Sequence, residues 1–525
     1  MKMVKSLILG SAAGLVAMSG AQAADLPVKA KAVEYVKICS LYGAGFFYIP
    51  GTDTCIKLGG YVRVDTTFNG GVYGQPFYSG DPGQNNRYRD YFNSRSRMAL
   101  TVDTRTATEY GVVRTFGQGD FQFQNFGTSN PGTAALSGSP LNNALLSTAG
   151  GGYVAVEMVF IQFAGFTFGK SASPYASPWH GYPGNNTSFL MGGHDTVTGV
   201  NNIQYTAQFG NGVSATVSLD DPTVFHRTSV FNLGASGVGI TPVGGTGTAG
   251  NAYAGVHAPD IVGNIRVDQA WGLFQISGAL HEVNASYNNL TQSAANNFSE
   301  ISGHPEDKWG GSVMAALQIK NLPTGPGDDI KMDASWSKGD IRNTIGTSGG
   351  SIPAFAMFGN SGAAYQSLGF GVASDGVFLP VTAGGDGSLH LTEGFGFRGA
   401  FNHNWDPYWS SSLFGGFSAV RYDGTAKAEF CAAYAASNPG FLAAAAAGTA
   451  SCNPDFSISQ VGVVTRWTPV KNLTFSVEGM WTHLDQKFSG SAVLTGATLA
   501  PKPTALYEFK DQDTASLNVR VQRNF

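Results

Sequence analysis

Three glycine motifs and one histidine-bearing stretch are where the residue types and spacing of this chain could do chemistry. Residues 245–250 (G-T-G-T-A-G) and 394–399 (G-F-G-F-R-G) match the G-x-G-x-x-G pattern. That pattern binds a dinucleotide only where a strand turns into a helix whose N-terminus takes the pyrophosphate. The first match lies in a Gly/Thr loop and the second inside a strand pattern, so neither opens a helix. Residues 346–350 (G-T-S-G-G) match G-x-S-x-G without the strand-turn-helix frame of a nucleophile elbow. In a chain with 71 glycines such matches arise by chance. No catalytic residue, cofactor or metal is expected.

Residues 171–200 gather Tyr175, Trp179, His180, Tyr182, His194 and Asp195. They hold a single carboxylate, Asp195, so a strongly acidic field is not expected there. Hydrogen-bonded loop packing is the plain alternative for His180 and His194. The four cysteines form two local pairs, Cys39 with Cys55 and Cys431 with Cys452. No Cys-x-x-Cys occurs and no histidine cluster lies near either pair, so two disulfides are expected rather than a metal site.

The remaining chemistry is carried by charges placed at every second residue. Lys57, Arg63, Asp65, Arg97, Asp103, Glu157, Arg266, Asp268, Lys331, Asp333, Arg398, Arg466, Glu478 and Arg520 fall on the polar parity of alternating segments. Arg114 is assigned inward as well, which turns Tyr110 and Val112 inward with it. Facing lipid at mid-depth would cost about 2–4 kcal/mol per Arg or Lys. Parity and cost together point these groups into a water-filled interior, as a pore wall. Arg63 and Arg97 on the first two strands hint at a basic wall and a weak preference for anions.

The elements that must hold such a wall are two-faced strands. The last residues, 515–525 (A-S-L-N-V-R-V-Q-R-N-F), alternate strictly and stop on Phe525. A strand running to the terminus must be paired, and pairing with the first strand would close a barrel and remove both edges. Arg523 departs from the pattern by falling on the apolar-face parity, where near an interface an arginine can snorkel. The expected strands begin with 55–68 and with one through Met98, Leu100 and Val102 that turns near residues 105–108. Pairs follow at 152–163 with 166–170, around the Gly210-Asn211-Gly212 turn, and at 261–269 with 273–283. The rest are 309–321 with 329–338, 394–403 with 409–422, 457–467 with 473–484, and the last strand. The count is sixteen strands, eight long loops and seven short turns. Residues 469–472 are expected to be a turn, and the alanine run 443–447 a short helix or coil in an external loop. Outer-membrane barrels have this alternation of short turns and long loops.

Composition agrees. Charged residues are 13%, half the ordinary share of soluble domains (about 25%), aromatics are 12% and Gly is abundant. Residues 1–23 read as a secretory signal peptide: Lys2 and Lys5, a short apolar run, then A-Q-A. Its removal would take the net charge from −4 to −6, a mildly acidic chain with no footprint for nucleic acid. Residues 24–54 are then an N-terminal segment on the periplasmic side and 55–525 the transmembrane barrel.

Residues 36–65 (V-K-I-C-S-L-Y-G-A-G-F-F-Y-I-P-G-T-D-T-C-I-K-L-G-G-Y-V-R-V-D) resemble the start of the mature alphaproteobacterial general porins of the rhizobial and Brucella type. Residues 163–173 (F-A-G-F-T-F-G-K-S-A-S), 452–461, 467–478 and the ending V-Q-R-N-F are similar too, in family order. The resemblance implies a closed, all-β, sixteen-stranded antiparallel barrel in the outer membrane of a Gram-negative bacterium, assembled as a homotrimer. It implies that the third loop folds into the lumen, which would put Tyr175, Trp179, His180, Tyr182, His194 and Asp195 at the constriction. Small hydrophilic solutes and ions would pass by diffusion. The expected partners are membrane lipid, lipopolysaccharide and the barrel-assembly machinery, the last through the C-terminal strand. A substrate-specific channel, for sugars for example, would show an aromatic ladder of Tyr175, Trp179 and Tyr182. An enzyme or an adhesin on a barrel are the remaining alternatives. The loops 221–260 and 339–392 look expanded for the family.

Overall fold

The computed structural model describes residues 37–76, 85, 91–124, 152–224, 226–234, 251–290, 299–346, 354–496 and 502–525. The expected signal peptide, the 245–250 glycine motif and most of the 346–350 motif lie outside the described residues.

Sixteen antiparallel strands form one sheet: β1 (Thr54–Phe68), β2 (Phe92–Thr108), β3 (Gly111–Gln124), β4 (Gly152–Phe163), β5 (Phe166–Ser171), β6 (Val200–Gly210), β7 (Val213–Asp220) and β8 (Asp260–Gln269) make the first half. The second half is β9 (Gly272–Val283), β10 (Lys308–Lys320), β11 (Asp329–Lys338), β12 (Glu393–Asn404), β13 (Trp409–Arg421), β14 (Phe456–Val470), β15 (Leu473–Gln486) and β16 (Gln512–Asn524). Each pairs with its neighbour in sequence, and β16 pairs back onto β1 from Leu517 opposite Phe68 to Asn524 opposite Tyr61. The sheet therefore closes and leaves no edge. Phe525 extends the seam: its N–H donates to the Gly60 carbonyl at 3.1 Å. Arg523 lies outside, on the apolar parity, and donates to the Lys471 carbonyl at the adjacent turn.

The alternation reads directly as inside and outside. On β1, Asp65 and Thr67 are buried while Val62, Val64 and Phe68 are exposed. Trp271 and the stacked pair Trp409–Trp467 mark the outer rim on the turn side, and Trp309, Trp336 and Trp481 mark the loop side. Two bands of aromatics around an apolar belt are the outer surface of a membrane barrel. Among the described residues no helix is long and apolar enough to cross a membrane.

Turn chemistry sets the register. At Asn211-Gly212 both residues have positive φ (49° and 73°), as a two-residue hairpin turn that matches strand twist requires. Two expected turns are corrected. The strand expected to turn near 105–108 continues to Thr108, so the turn is Glu109-Tyr110. Pro469 and Val470 belong to β14 rather than to the turn, accommodated by an irregularity between Trp467 and Val470, and the turn is Lys471-Asn472. Pro469 has no partner in the register on either side, so its missing N–H takes no bond from the ladder.

The N-terminal unit, residues 1–56, is described from Lys37. The Cys39–Cys55 disulfide closes it around Phe46, and Phe47–Tyr48 pairs with Ile56 and Cys55.

The long loops are numbered L1 to L8 in chain order, and the described parts of L4, L6, L7 and L8 fold on one another. Strands Ala354–Gly359, Gln366–Val372, Ala505–Phe509, Ser489–Leu494 and Ala450–Ser451, from L6, L8 and L7, make a five-stranded sheet. A second sheet joins Ser229–Asn232 of L4 to Ser374–Phe378 and His390–Leu391 of L6. L6 also carries a short helix, α1 (Arg342–Ile345); L7 carries α2 (Gly424–Ser437) and α3 (Pro439–Ala446), stapled by the Cys431–Cys452 disulfide. Beneath them lies an apolar core that includes Phe231, Phe355, Phe370, Tyr434, Phe441 and Phe488. The run 443–447 is thus mostly helix, and α2 before it is an element the sequence reading missed.

Candidate pore lumen

The lumen wall is organised as ion pairs on the first strands. The Asp65 carboxylate takes Arg95 Nη2 at 2.6 Å and Arg520 Nε at 2.5 Å, drawing β1, β2 and β16 together. Arg97 Nη1 meets Asp120 Oδ2 at 2.6 Å and Glu157 Oε1 at 3.8 Å. From L1 the Tyr73 ring faces both guanidiniums, 4.9 Å from that of Arg95 and 5.7 Å from that of Arg97. Nearer the turns, Arg105 and Arg114 share Asp103, each at 3.0 Å. Arg114 stands opposite Arg105 in register, hence on the inner face, and Val112 stands opposite Ala107 on that face too. Arg63 lies over the Tyr61 ring and donates to Gln522. Lys57, near the start of β1, is exposed.

L3 (residues 172–199) lies inside the barrel and is held by the wall at several points. Asn264 donates to the Pro174 carbonyl (2.7 Å), Gln275 to that of Ala176 (2.8 Å), and Ser277 to that of Tyr175 (2.9 Å). Arg398, paired to Asp333 through Nε at 2.8 Å, turns its Nη2 to the His194 carbonyl at 2.5 Å. Gly192 passes against Gly396 of β12: a Cβ at Gly192 would strike the Phe397 carbonyl, and one at Gly396 the Gly192 carbonyl. Gly396, the middle glycine of the 394–399 match, is explained by this close approach of two backbones. On the far side, Glu478 of β15 accepts from the N–H groups of Asn186 and Thr187, and Arg466 donates to the Gly184 carbonyl.

L6 supplies a second inward segment. Residues 340–345 are buried against β11, β12 and β13, with Ser418 Oγ donating to the Thr344 carbonyl at 2.6 Å. The two loops meet where His194 Nδ1 lies 2.7 Å from Asn343 Oδ1. Burial, aided by the Arg342 guanidinium, pulls the His194 imidazole down to about 4. Burial pushes the Asp340 carboxyl up to about 8.

The six expected constriction residues divide. Tyr175 and Trp179 are fully or nearly buried in an apolar cluster with Val262, Ala279, Met314 and Ala316, so they turn into the wall and present no ladder. His194 and Asp195 are buried where L3 meets L6. His180 and Tyr182 line a cavity of about 530 Å³ on the turn side of L3, together with Asp329, Lys331, His403, Arg466 and Arg520. Glu478, assigned to the wall, is spent on holding L3. Sequence reasoning missed Arg95 and Asp120; both lie on the inward parity of β2 and β3, which was the signal available. It also missed the inward segment of L6, which follows no period.

A closed barrel, apolar outside, ion-paired inside and crossed by a loop, is the architecture of a β-barrel protein spanning an outer membrane. Residues 25–518 match the family described as the porin subfamily, and the chain belongs to that family. The porin Omp2b of Brucella abortus is 36% identical over 274 residues, which are 51% of this chain and 63% of that protein. Omp2b of Brucella canis is 35% identical over the same shares. The alignment thus spans less than two thirds of the length of these curated relatives. Among solved structures, the outer membrane channel DcaP of Acinetobacter baumannii matches 91% of this chain and 99% of its own, with a TM-score of 0.53 and 14% identity. That likeness concerns the fold alone.

Proposed function

We propose that the protein is an outer-membrane porin: a water-filled channel through which small hydrophilic solutes and ions pass by diffusion. The observation that carries the reading is L3, seated across the lumen of a closed barrel whose charges face inward. Such a loop narrows an aqueous path without blocking it with apolar side chains, and the charges left around it bias what enters. The cavity under L3 presents Lys331, Arg466 and Arg520 against Asp329, with Arg520 partly neutralised by Asp65. This balance supports a weak preference for anions.

The reading extends to a signal peptide over residues 1–23, a homotrimer, contact with lipid and lipopolysaccharide, and delivery to the barrel-assembly machinery through β16. The family relation and the apolar belt of the outer face support these. A sugar-specific channel is less well supported, since Tyr175 and Trp179 do not face the cavity. The test is single-channel recording of the folded protein in a planar bilayer under a salt gradient. Ohmic steps closing in three sublevels, with a reversal potential of anion-selective sign, are the expected result. Silence from correctly folded protein would overturn the channel reading.

A further inference from the structure

Outside the lumen, four side chains converge where L6 meets L7. Asp386 and His390 come from L6; Asp423 and Glu429 come from the N-cap and second turn of α2. His390 Nε2 lies 3.1 Å from Asp386 Oδ2, and its Nδ1 lies 3.2 Å from Asp423 Oδ2. Ligand atoms of Asp386, His390 and Glu429 all lie within 4.8 Å of one another.

Glu429 is the informative member. It is 6% exposed. Its Oε1 accepts from the Asp386 N–H at 2.8 Å, and its Oε2 has no hydrogen-bond partner among the described residues. A carboxylate oxygen left bare in a buried place is costly unless a cation meets it.

The surrounding geometry fits a metal ion. Two donors on one tetrahedral ion at 2.0–2.2 Å stand about 3.3–3.6 Å apart, and His390 Nε2 and Asp386 Oδ2, 3.1 Å apart, need to open by only a few tenths of an ångström to reach that spacing. A ligating histidine gives its other ring N–H to a carboxylate, which fixes the ring. Asp423 stands in that place and is itself fixed, its Oδ1 accepting from the Ala426 N–H at 2.8 Å as the cap of α2. Asp386 is steadied in the same way by the Ser388 N–H at 2.7 Å.

We propose that Asp386, His390 and Glu429 form a divalent transition-metal site of the Zn²⁺ type, with Asp423 orienting the imidazole, which pins L6 to the L7 helix. One imidazole and two carboxylates suit zinc better than magnesium or calcium, which take all-oxygen sets. Three protein ligands leave a position for water. On binding, the proton on Nε2 leaves to solvent and the nitrogen lone pair goes to the ion. A second group, His257, Glu282 and Asp307, gathers near L5 but is exposed or half-exposed throughout, and it serves as the control.

The test is calorimetric titration of ZnCl₂ into the full-length, detergent-folded protein after chelator treatment, with heat-modifiable gel mobility showing each variant's barrel intact. In a His257→Ala background, one Zn²⁺ per chain should bind at micromolar or lower concentration. His390→Ala and Glu429→Gln should abolish that binding, and Asp423→Asn should weaken it about tenfold or more. Excess Mg²⁺ or Ca²⁺ should not compete. Binding that survives His390→Ala, that disappears with His257→Ala alone, or that needs millimolar zinc would overturn the proposal. None of these outcomes depends on channel activity.

Discussion

The Thr187 amide of L3 donates to Glu478 Oε1 of β15 at 2.9 Å, joining residues 291 apart in sequence. The Asn186 amide donates to the other oxygen of the same carboxylate. One side chain thus ends the crossing of the lumen by fixing the far part of the loop to the wall.

Glu478→Ala should therefore loosen L3 without opening the barrel. Each lost hydrogen bond to a charged group contributes about 1.5–3 kcal/mol. Larger single-channel conductance with added open-channel noise is the expected change, while heat-modifiability on gels stays as in the parent. Glu478→Gln, which keeps an acceptor, should fall between. Unchanged conductance in Glu478→Ala would show that the other contacts of L3 suffice to seat it.

The Arg398–Asp333 pair is fully buried, and Arg398 also holds the His194 carbonyl. Removing one member of such a pair strands a charge and costs about 3–5 kcal/mol. Asp333→Ala should lower the thermal midpoint of the detergent-folded barrel markedly. Arg398→Met with Asp333→Leu should recover most of the loss, since no uncompensated charge remains. A double variant as weak as the single would place the cost in the lost His194 contact instead.

Much of the barrel was legible because each strand meets two solvents. Val62 and Val64 on one side and Arg63 and Asp65 on the other are told apart by what each face touches. Arg95 was not legible: the F-N-S-R-S-R start of β2 offers no run of apolar partners to show that the strand had begun. The external sheets were illegible for a different reason. Gln366–Val372 pairs in parallel with Ala505–Phe509, and nothing local to either segment names a partner so distant. In L3 the composition announced bulky residues but no period said which way they point. Tyr175 and Trp179 went into the wall for want of other apolar surface, while His180 and Tyr182 were left facing water.

Acid should unseat L3 through His194. Its seated form sits at about 4, below the ordinary 6.5, because burial and the Arg342 and Arg398 guanidiniums outweigh Asp195 and Asn343. A released loop therefore binds a proton that the seated loop does not, between those two values. Seating strengthens as pH rises through this window and is lost as pH falls through it. Asp340, raised to about 8, works in the opposite sense over its own range from 3.8 upward. The share of His194 is isolated by comparing the parent with His194→Gln. Gating events in the parent should increase from pH 6.5 toward 4 more steeply than in the variant. Identical profiles would remove His194 from the account.

Lys331 lines the cavity under L3, 3.6 Å from Asp329, on a wall that also presents Arg466 and Arg520. Lys331→Glu changes the local charge by two units and puts a second carboxylate beside Asp329. The reversal potential in a salt gradient should move toward cation selectivity. Fields from groups in water are screened over about 10 Å at 0.1 M salt and about 3 Å at 1 M. The shift should accordingly be larger at 0.1 M and fade at 1 M, whereas a change in pore width would persist at both. Lys487→Glu, on an external loop and paired with Asp485, should leave the reversal potential near the parent value. If both variants shift it equally, the selectivity is set at the outer mouth rather than under L3, and the cavity charges are a solvated wall.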